Sequence, residues 1–375
     1  MESFDFAVIG GGIAGASAAY ELAAHGSVVL LETEDTCGYH TTGRSAAIFT
    51  EAYEHDAVRL LTLASRSFLQ EPPDGFAEVP ILSPMAVLVI GRDDQKERVA
   101  EEIAAARTLV PSVEQLDGPQ AENECPVLRE GYVAAAMWEP DSRAIDVDAL
   151  HQGFLRGVRE RGGLIKTSSP VSGLVASNGS WTVTAGDQKL NVSAVVNAAG
   201  AWASEVGAMA GASSIDLVPH RRTAFTFAAP VELDTTALPM VVDVDEDFYF
   251  KPEGPQFLAS LAEETPMPPH DVRHEEVDVA LAIERIEAAT TLQIRHVGTA
   301  WAGLRTFAVD RLPVVGEDPA ASGFFWLAGQ GGFGIMTSPA MARAIAGLVV
   351  ERSLPPDLLE LGVTAKALSP QRLLG

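Results

Sequence analysis

At 375 residues and 39.6 kDa the chain has room for two domains, at about 150 residues each, and a chain of this size buries roughly three quarters of its unfolded surface. Lys and Arg number 26 against 51 Asp and Glu, a net charge of −25, and only five of the cations are lysines, so the surface repels phosphate backbones and nucleic acid is excluded as the main partner. Apolar residues make up 47% and charge is spread along the chain, which excludes disorder.

Cys37 and Cys125 stand apart from each other and from any histidine cluster, so neither a metal site nor a disulfide framework is expected, and a cytoplasmic location is predicted. The opening MESFDF is acidic where an export signal is basic, which assigns the apolar run behind it to the mature fold. The uncharged stretch 319–342 is broken by glycines and prolines and reads as buried loop and helix, not as a membrane span.

In chain order, residues 4–9 read as a buried parallel strand, GGGIAG as a turn, 17–24 as a helix and 28–32 as a second strand. In this β-α-β unit Gly10 supplies the turn, Gly12 the close backbone approach and Gly15 the tight helix–strand contact. Glu32 closes the second strand, where a carboxylate can accept hydrogen bonds from ribose hydroxyls. The pattern predicts a dinucleotide site without distinguishing one dinucleotide from another.

Residues 76–137 carry strand-like pieces such as MAVLVI around a charged helix at 93–107. An amphipathic helix follows at 148–161, then a strand pair at 171–175 and 181–184, and a buried strand, AVVNAAG, ending at Gly200. From 218 to 294 the alternation in TAFTF and FYF predicts antiparallel sheet. LPVVG, FFWLAG, a glycine-rich loop and a helix over 338–352 complete the chain. The fold class is α/β, a discontinuous Rossmann-like nucleotide-binding domain with an inserted antiparallel β-rich domain.

GGGIAG with Glu32, AVVNAAGAW at 194–202 and LPVVG…FFWLAGQGGFGIMTSPAMA at 312–342 together resemble the FAD-dependent D-amino-acid oxidase superfamily. GYHTTGRSAA, DALHQGFLRGVR, HRRTAFTF and WAGLR are most similar to its D-arginine dehydrogenase branch. The resemblance covers the whole chain and implies an FAD-binding domain at 1–75, 138–217 and 300–375, with a substrate domain at 76–137 and 218–299. It implies FAD contacts from Gly10, Gly12, Ala14, Gly15, Glu32 and Thr33, from Thr42, Gly43, Arg44, Ser45 and Ala46, and from Val171 and Gly200. Gly332, Gly334, Ile335, Met336 and Thr337 complete the set. Thr337-Ser338-Pro339 reads as a helix start whose positive end faces the flavin's pyrimidine edge. With no C-terminal cysteine to form a thioether, the FAD is expected to be noncovalent.

The activity implied is oxidative deamination of D-amino acids, with a quinone or a carrier as electron acceptor. Arg222 and Arg305 match carboxylate-binding arginines, whose planar forks suit a carboxylate. Tyr53 and Tyr249 match pocket tyrosines, Met240 and Val242 pocket walls, and Gly332 a carbonyl for the amine. His40 and His220 are read as structural, which leaves amine deprotonation to solvent. Val87 stands in the stretch where the arginine-oxidising branch has an acid, and Ile48 and Met336 where it has His and Gln, so neutral or apolar side chains are expected over D-Arg. Residues 257–261 lack the oxygen-activating lysine of sarcosine oxidases, which predicts weak use of O2. The competing readings are a peroxide-producing glycine or sarcosine oxidase and a flavin-dependent tRNA-modifying module.

Overall fold

The structure is a computed structural model and describes residues 1–52 and 55–374. Two large sheets organise it. The first has eight strands, and its parallel centre is built from Glu2–Ile9, flanked by Val28–Leu31 on one side and Gln188–Asn197 on the other, with Leu164–Lys166 beyond Val28–Leu31 and Phe324–Ala328 beyond Gln188–Asn197. Ala7, Val8, Val29, Leu30, Val195 and Val196 are all buried, because helices Ile13–Leu22, Val147–Glu160 and Ser338–Val350 cover one face while Trp181 and Trp326 pack on the other. The expected strand pair is the hairpin Val171–Ser177 and Ser180–Ala185, and it extends Gln188–Asn197. Ile9 lies level with Leu31 and Asn197, so three parallel strands end together where the chain departs to opposite sides of Glu2–Ile9, the point at which doubly wound sheets open a ligand crevice.

The first helix begins at Ile13, inside the glycine motif and not at Ser17. Gly12 is its N-cap and has no side chain to offer, and the Ile13 N–H donates instead to the Thr42 hydroxyl at 2.9 Å.

The second sheet has nine strands in the order Thr265–Pro266, Leu217–Ala228, Gln256–Ser260, Tyr249–Glu253, Met240–Asp243, Val87–Gly91, Ala135–Glu139, Glu114–Asp117, with Ala300–Ala308 paired to Leu217–Ala228. It departs from the antiparallel expectation twice. Met240–Asp243 runs parallel to Val87–Gly91, and residues 276–289 form a helix, Glu276–Ala289, whose Val279, Ala282, Ile286 and Ala289 pack on Phe225, Phe250 and Phe257. That helical spacing is present in EVDVALAIERIEAA and outweighs its β-branched residues. A third sheet of Ile48–Phe49, Arg143–Ile145 and Leu82–Pro84 holds Ile48 between the two large ones.

Candidate active site

The period-2 geometry of a strand sends alternate side chains to one face, and directly paired residues share that face. In the second sheet Val87 pairs with Met240 and Glu139, Val242 with Tyr249, and Arg222 with Gly303, two residues before Arg305. Following the register places Glu139, Val87, Met240, Val242, Tyr249, Arg222 and Arg305 on one face. Leu88, Val241, Phe250 and Phe225 take the other, over the Glu276–Ala289 helix.

A cavity of about 690 Å³ covers the first face, lined by all seven of those side chains and by Ile48 and Met336. A cleft of about 430 Å³ opens from the crevice of the first sheet, lined by Gly10, Gly12, Ala14, Glu32, Thr33, Thr42, Arg44, Val171, Gly200, Gly334 and Ile335. Cleft and cavity meet at Ser45, Ala46, Arg222, Tyr249, Arg305 and Gly332, which line both. Arg222 and Tyr249 are buried there. Arg222 Nη2 lies 3.2 Å from Glu264 Oε1, while its Nε has no hydrogen-bond partner among the described residues. A buried N–H in that condition favours a bound acceptor.

Four expected cofactor contacts fall outside the cleft, and one of them, Met336, lines only the cavity. Gly15 lines neither space. A Cβ there would collide with the Gly10 carbonyl oxygen and stand 3.0 Å from Gly10 C, so its role is the helix–turn contact. Gly43 gives its N–H to the Gly38 carbonyl at 2.8 Å and stays behind the cleft wall. Thr337 is buried, and its hydroxyl bonds the Phe333 carbonyl at 2.9 Å instead of capping the helix. Nor does that helix offer all its first amides to the cleft, because Ala340 N–H donates to Ser65 Oγ at 3.1 Å. The cleft is lined instead by the preceding loop, from Gln330 to Ile335. Tyr53 lies outside the described residues.

The glycine turn is held from behind. His151 Nε2 donates to the Gly11 carbonyl at 2.9 Å, and burial holds the imidazole below its ordinary pKa, which favours the neutral ring. Glu32 accepts the N–H groups of Gly11 at 2.6 Å and Glu34 at 2.9 Å, leaving lone pairs on each oxygen for ligand hydroxyls. Arg44 presents its backbone, since its guanidinium bonds the Val272 and Ala302 carbonyls at 3.1 and 3.0 Å. His40 sits at the cleft rim, 2.9 Å from Glu34 Oε1 and 4.7 Å from the Trp202 ring, while His220 bonds the Val218 carbonyl; neither lines the cavity beyond the junction.

The cavity is less apolar than the sequence implies. Glu139 stands across from Val87 with its carboxyl pushed up by burial, accepting the Thr50 hydroxyl at 2.6 Å and the Glu51 N–H at 2.9 Å. Glu246, Glu264 and Arg311 enter from loops. No lysine is among the described residues that line cleft or cavity.

Glycine-turn amides, a strand-end carboxylate and a long cleft leading to an arginine-lined chamber suit a dinucleotide whose reactive ring lies at the junction. Comparison with known proteins agrees. The family model described as FAD dependent oxidoreductase matches residues 5–348. Human mitochondrial dimethylglycine dehydrogenase is 27% identical over 94% of this chain, although the chain spans only 43% of that relative's length. Glycine oxidase of Geobacillus kaustophilus (strain HTA426) is 23% identical, over 96% of this chain and 97% of its own. The solved L-proline dehydrogenase from P. horikoshii superposes with a TM-score of 0.86 at 21% identity, covering 99% of this chain and 98% of that one, and so shares the fold.

Proposed function

The chain belongs to the FAD dependent oxidoreductase family, and on that premise we propose that it oxidises the carbon–nitrogen bond of an α-amino carboxylate, a D-amino acid by the branch its motifs resemble. The observation that carries this reading is the junction, where Arg222, Tyr249, Arg305 and Gly332 line cleft and cavity together. FAD, when bound along the cleft, supplies a two-electron acceptor.

The chain's own residues do the positioning. Arg305 and Arg222 hold the substrate carboxylate, and the Tyr249 hydroxyl donates to it while the ring excludes water. The Gly332 carbonyl accepts from the amine, and solvent removes the amine proton. Loss of the Cα hydrogen with its two bonding electrons gives an iminium, which water converts to a 2-oxo acid and ammonium. Ile48, Val87, Met240 and Val242 favour a neutral side chain, and Glu139 favours one that can donate a hydrogen bond. The resemblance divides the chain into an FAD unit (1–75, 138–217, 300–375) and a substrate unit (76–137, 218–299), but Ala300–Ala308 pairs along its whole length with Leu217–Ala228 in the second sheet, which supports assigning the strand that carries Arg305 to the substrate unit. The dimethylglycine dehydrogenase match supports a second reading, oxidation of an N-alkyl glycine.

Turnover with an artificial electron acceptor, over paired D- and L-amino acids and N-methylated glycines, tests both. A D-amino acid with a neutral side chain is expected to give the highest kcat/KM. A preference for N-methylated glycines selects the second reading, and turnover of none of them refutes both.

A further inference from the structure

Glu264 lies in the loop between Gln256–Ser260 and Thr265–Pro266 and lines the cavity. Its Oε2 accepts from Arg311 Nη1 at 2.9 Å, and its Oε1 accepts from Arg311 Nη2 at 3.0 Å and from Arg222 Nη2 at 3.2 Å. One carboxylate of the protein therefore already takes the forked arrangement that two arginines offer to a carboxylate ligand. Arg311 is fixed from its other side, with its guanidinium 4.0 Å above the Phe307 ring. Burial acts to raise the Glu264 carboxyl, but hydrogen bonds from Arg311 and the charges of Arg311, Arg222 and Arg305 outweigh it and hold the group below the usual carboxylate range. Glu264 is thus ionised at neutral pH.

We propose that Glu264 is a specificity-determining residue that excludes a second carboxylate from the cavity and restricts the enzyme to monocarboxylate amines. A substrate carrying another carboxylate would bring it toward Arg222 and Arg311, where Glu264 already takes Arg222 Nη2 and both Arg311 Nη groups and stands as a fixed negative charge, joined by Glu246, whose Oε2 lies 3.6 Å from Arg222 Nη2. Like charges juxtaposed at a partly buried site oppose binding. Replacing Glu264 with Gln keeps the shape, removes the charge and frees guanidinium donors for the incoming group. The inference rests on the assignment of Arg305 and Arg222 to the substrate carboxylate.

The test is calorimetric titration of the FAD-loaded protein with acetate and with malonate, neither of which can be oxidised at a carbon–nitrogen bond. Wild type is expected to prefer acetate. In Glu264→Gln the ratio of malonate to acetate affinity rises at least tenfold, and Glu264→Asp, which keeps the charge, retains the wild-type preference. The inference is overturned if the ratio is the same in wild type and Glu264→Gln, or if Glu264→Asp shifts it as far as Gln does. Arg305→Lys is titrated alongside. Loss of acetate affinity there supports the carboxylate assignment, whereas unchanged affinity refutes that assignment and removes the premise of the inference.

Discussion

Gly15→Ala isolates the contact on which the dinucleotide turn depends. The added methyl would meet backbone, with Gly10 O too close to tolerate and Gly10 C at 3.0 Å, neither of which a rotamer change can move, and it would also press on the Val8 side chain at 3.3 Å. Either the Ile13–Leu22 helix lifts from the sheet or the Gly10–Gly12 turn moves. Overpacking of this kind costs about 1–3 kcal/mol, and the better helix propensity of Ala returns up to about 1 kcal/mol. A net loss of about 1–2 kcal/mol lowers Tm by roughly 2–8 °C. The effect on FAD is larger, because a displaced turn gives up at least one hydrogen bond to a charged pyrophosphate, worth about 1.5–3 kcal/mol, or roughly 10- to 100-fold in Kd. Fluorescence titration of the apoprotein with FAD, together with thermal melts, reads both. Gly173→Ala is the control, since its nearest neighbour is Thr184 Oγ1 at 3.7 Å. Wild-type FAD affinity in Gly15→Ala would show that the turn does not depend on this contact.

Arg305→Met removes one fork of the carboxylate site. Two charge-assisted hydrogen bonds at about 1.5–3 kcal/mol each predict a fall in kcat/KM of at least about 100-fold, and a loss under about tenfold contradicts the assignment. His151 predicts an acid limit. Its folded pKa lies below the unfolded value of about 6.5, so stability is full above that pH and is lost as pH falls from there through the folded pKa. Gln at 151 still donates to Gly11 without titrating, so the Tm of His151→Gln should gain on wild type below about pH 6.5, and a pH-independent difference would contradict this. With no lysine among the described lining residues, substrate-reduced enzyme should reoxidise far more slowly with O2 than with an artificial acceptor. Rapid peroxide formation in air would show otherwise.

The first sheet was legible because each signal is local: a glycine turn between two apolar runs, an acid at the second strand's end, a strand pair close in sequence. The site divides along the same line. Gly10, Gly12, Glu32, Arg222, Tyr249 and Arg305 sit inside motifs and line the spaces the sequence implies. Glu139 was missed because its position opposite Val87 depends on pairing between strands about 50 residues apart, which no window along the chain contains. Glu264 and Arg311 were missed because loops deliver them, and nothing in LAEETP or AVDRLP indicates that the two meet. Thr-Ser-Pro marks the helix start correctly, with Thr337 as the N-cap residue and the helix beginning at Ser338, and only the side-chain cap departs from the expectation. At this fully buried position the hydroxyl bonds the Phe333 carbonyl within its own turn.

Oxidation of an α-amino carboxylate is tested most directly by anaerobic mixing of the FAD-loaded protein with D- and L-amino acids and N-methylated glycines, following the oxidised-flavin absorbance. Bleaching by α-amino carboxylates is expected, fastest with a D-amino acid bearing a neutral side chain, together with its loss in Arg305→Met. Flavin that stays oxidised with every α-amino carboxylate, or that bleaches as fast in Arg305→Met as in wild type, would contradict this expectation.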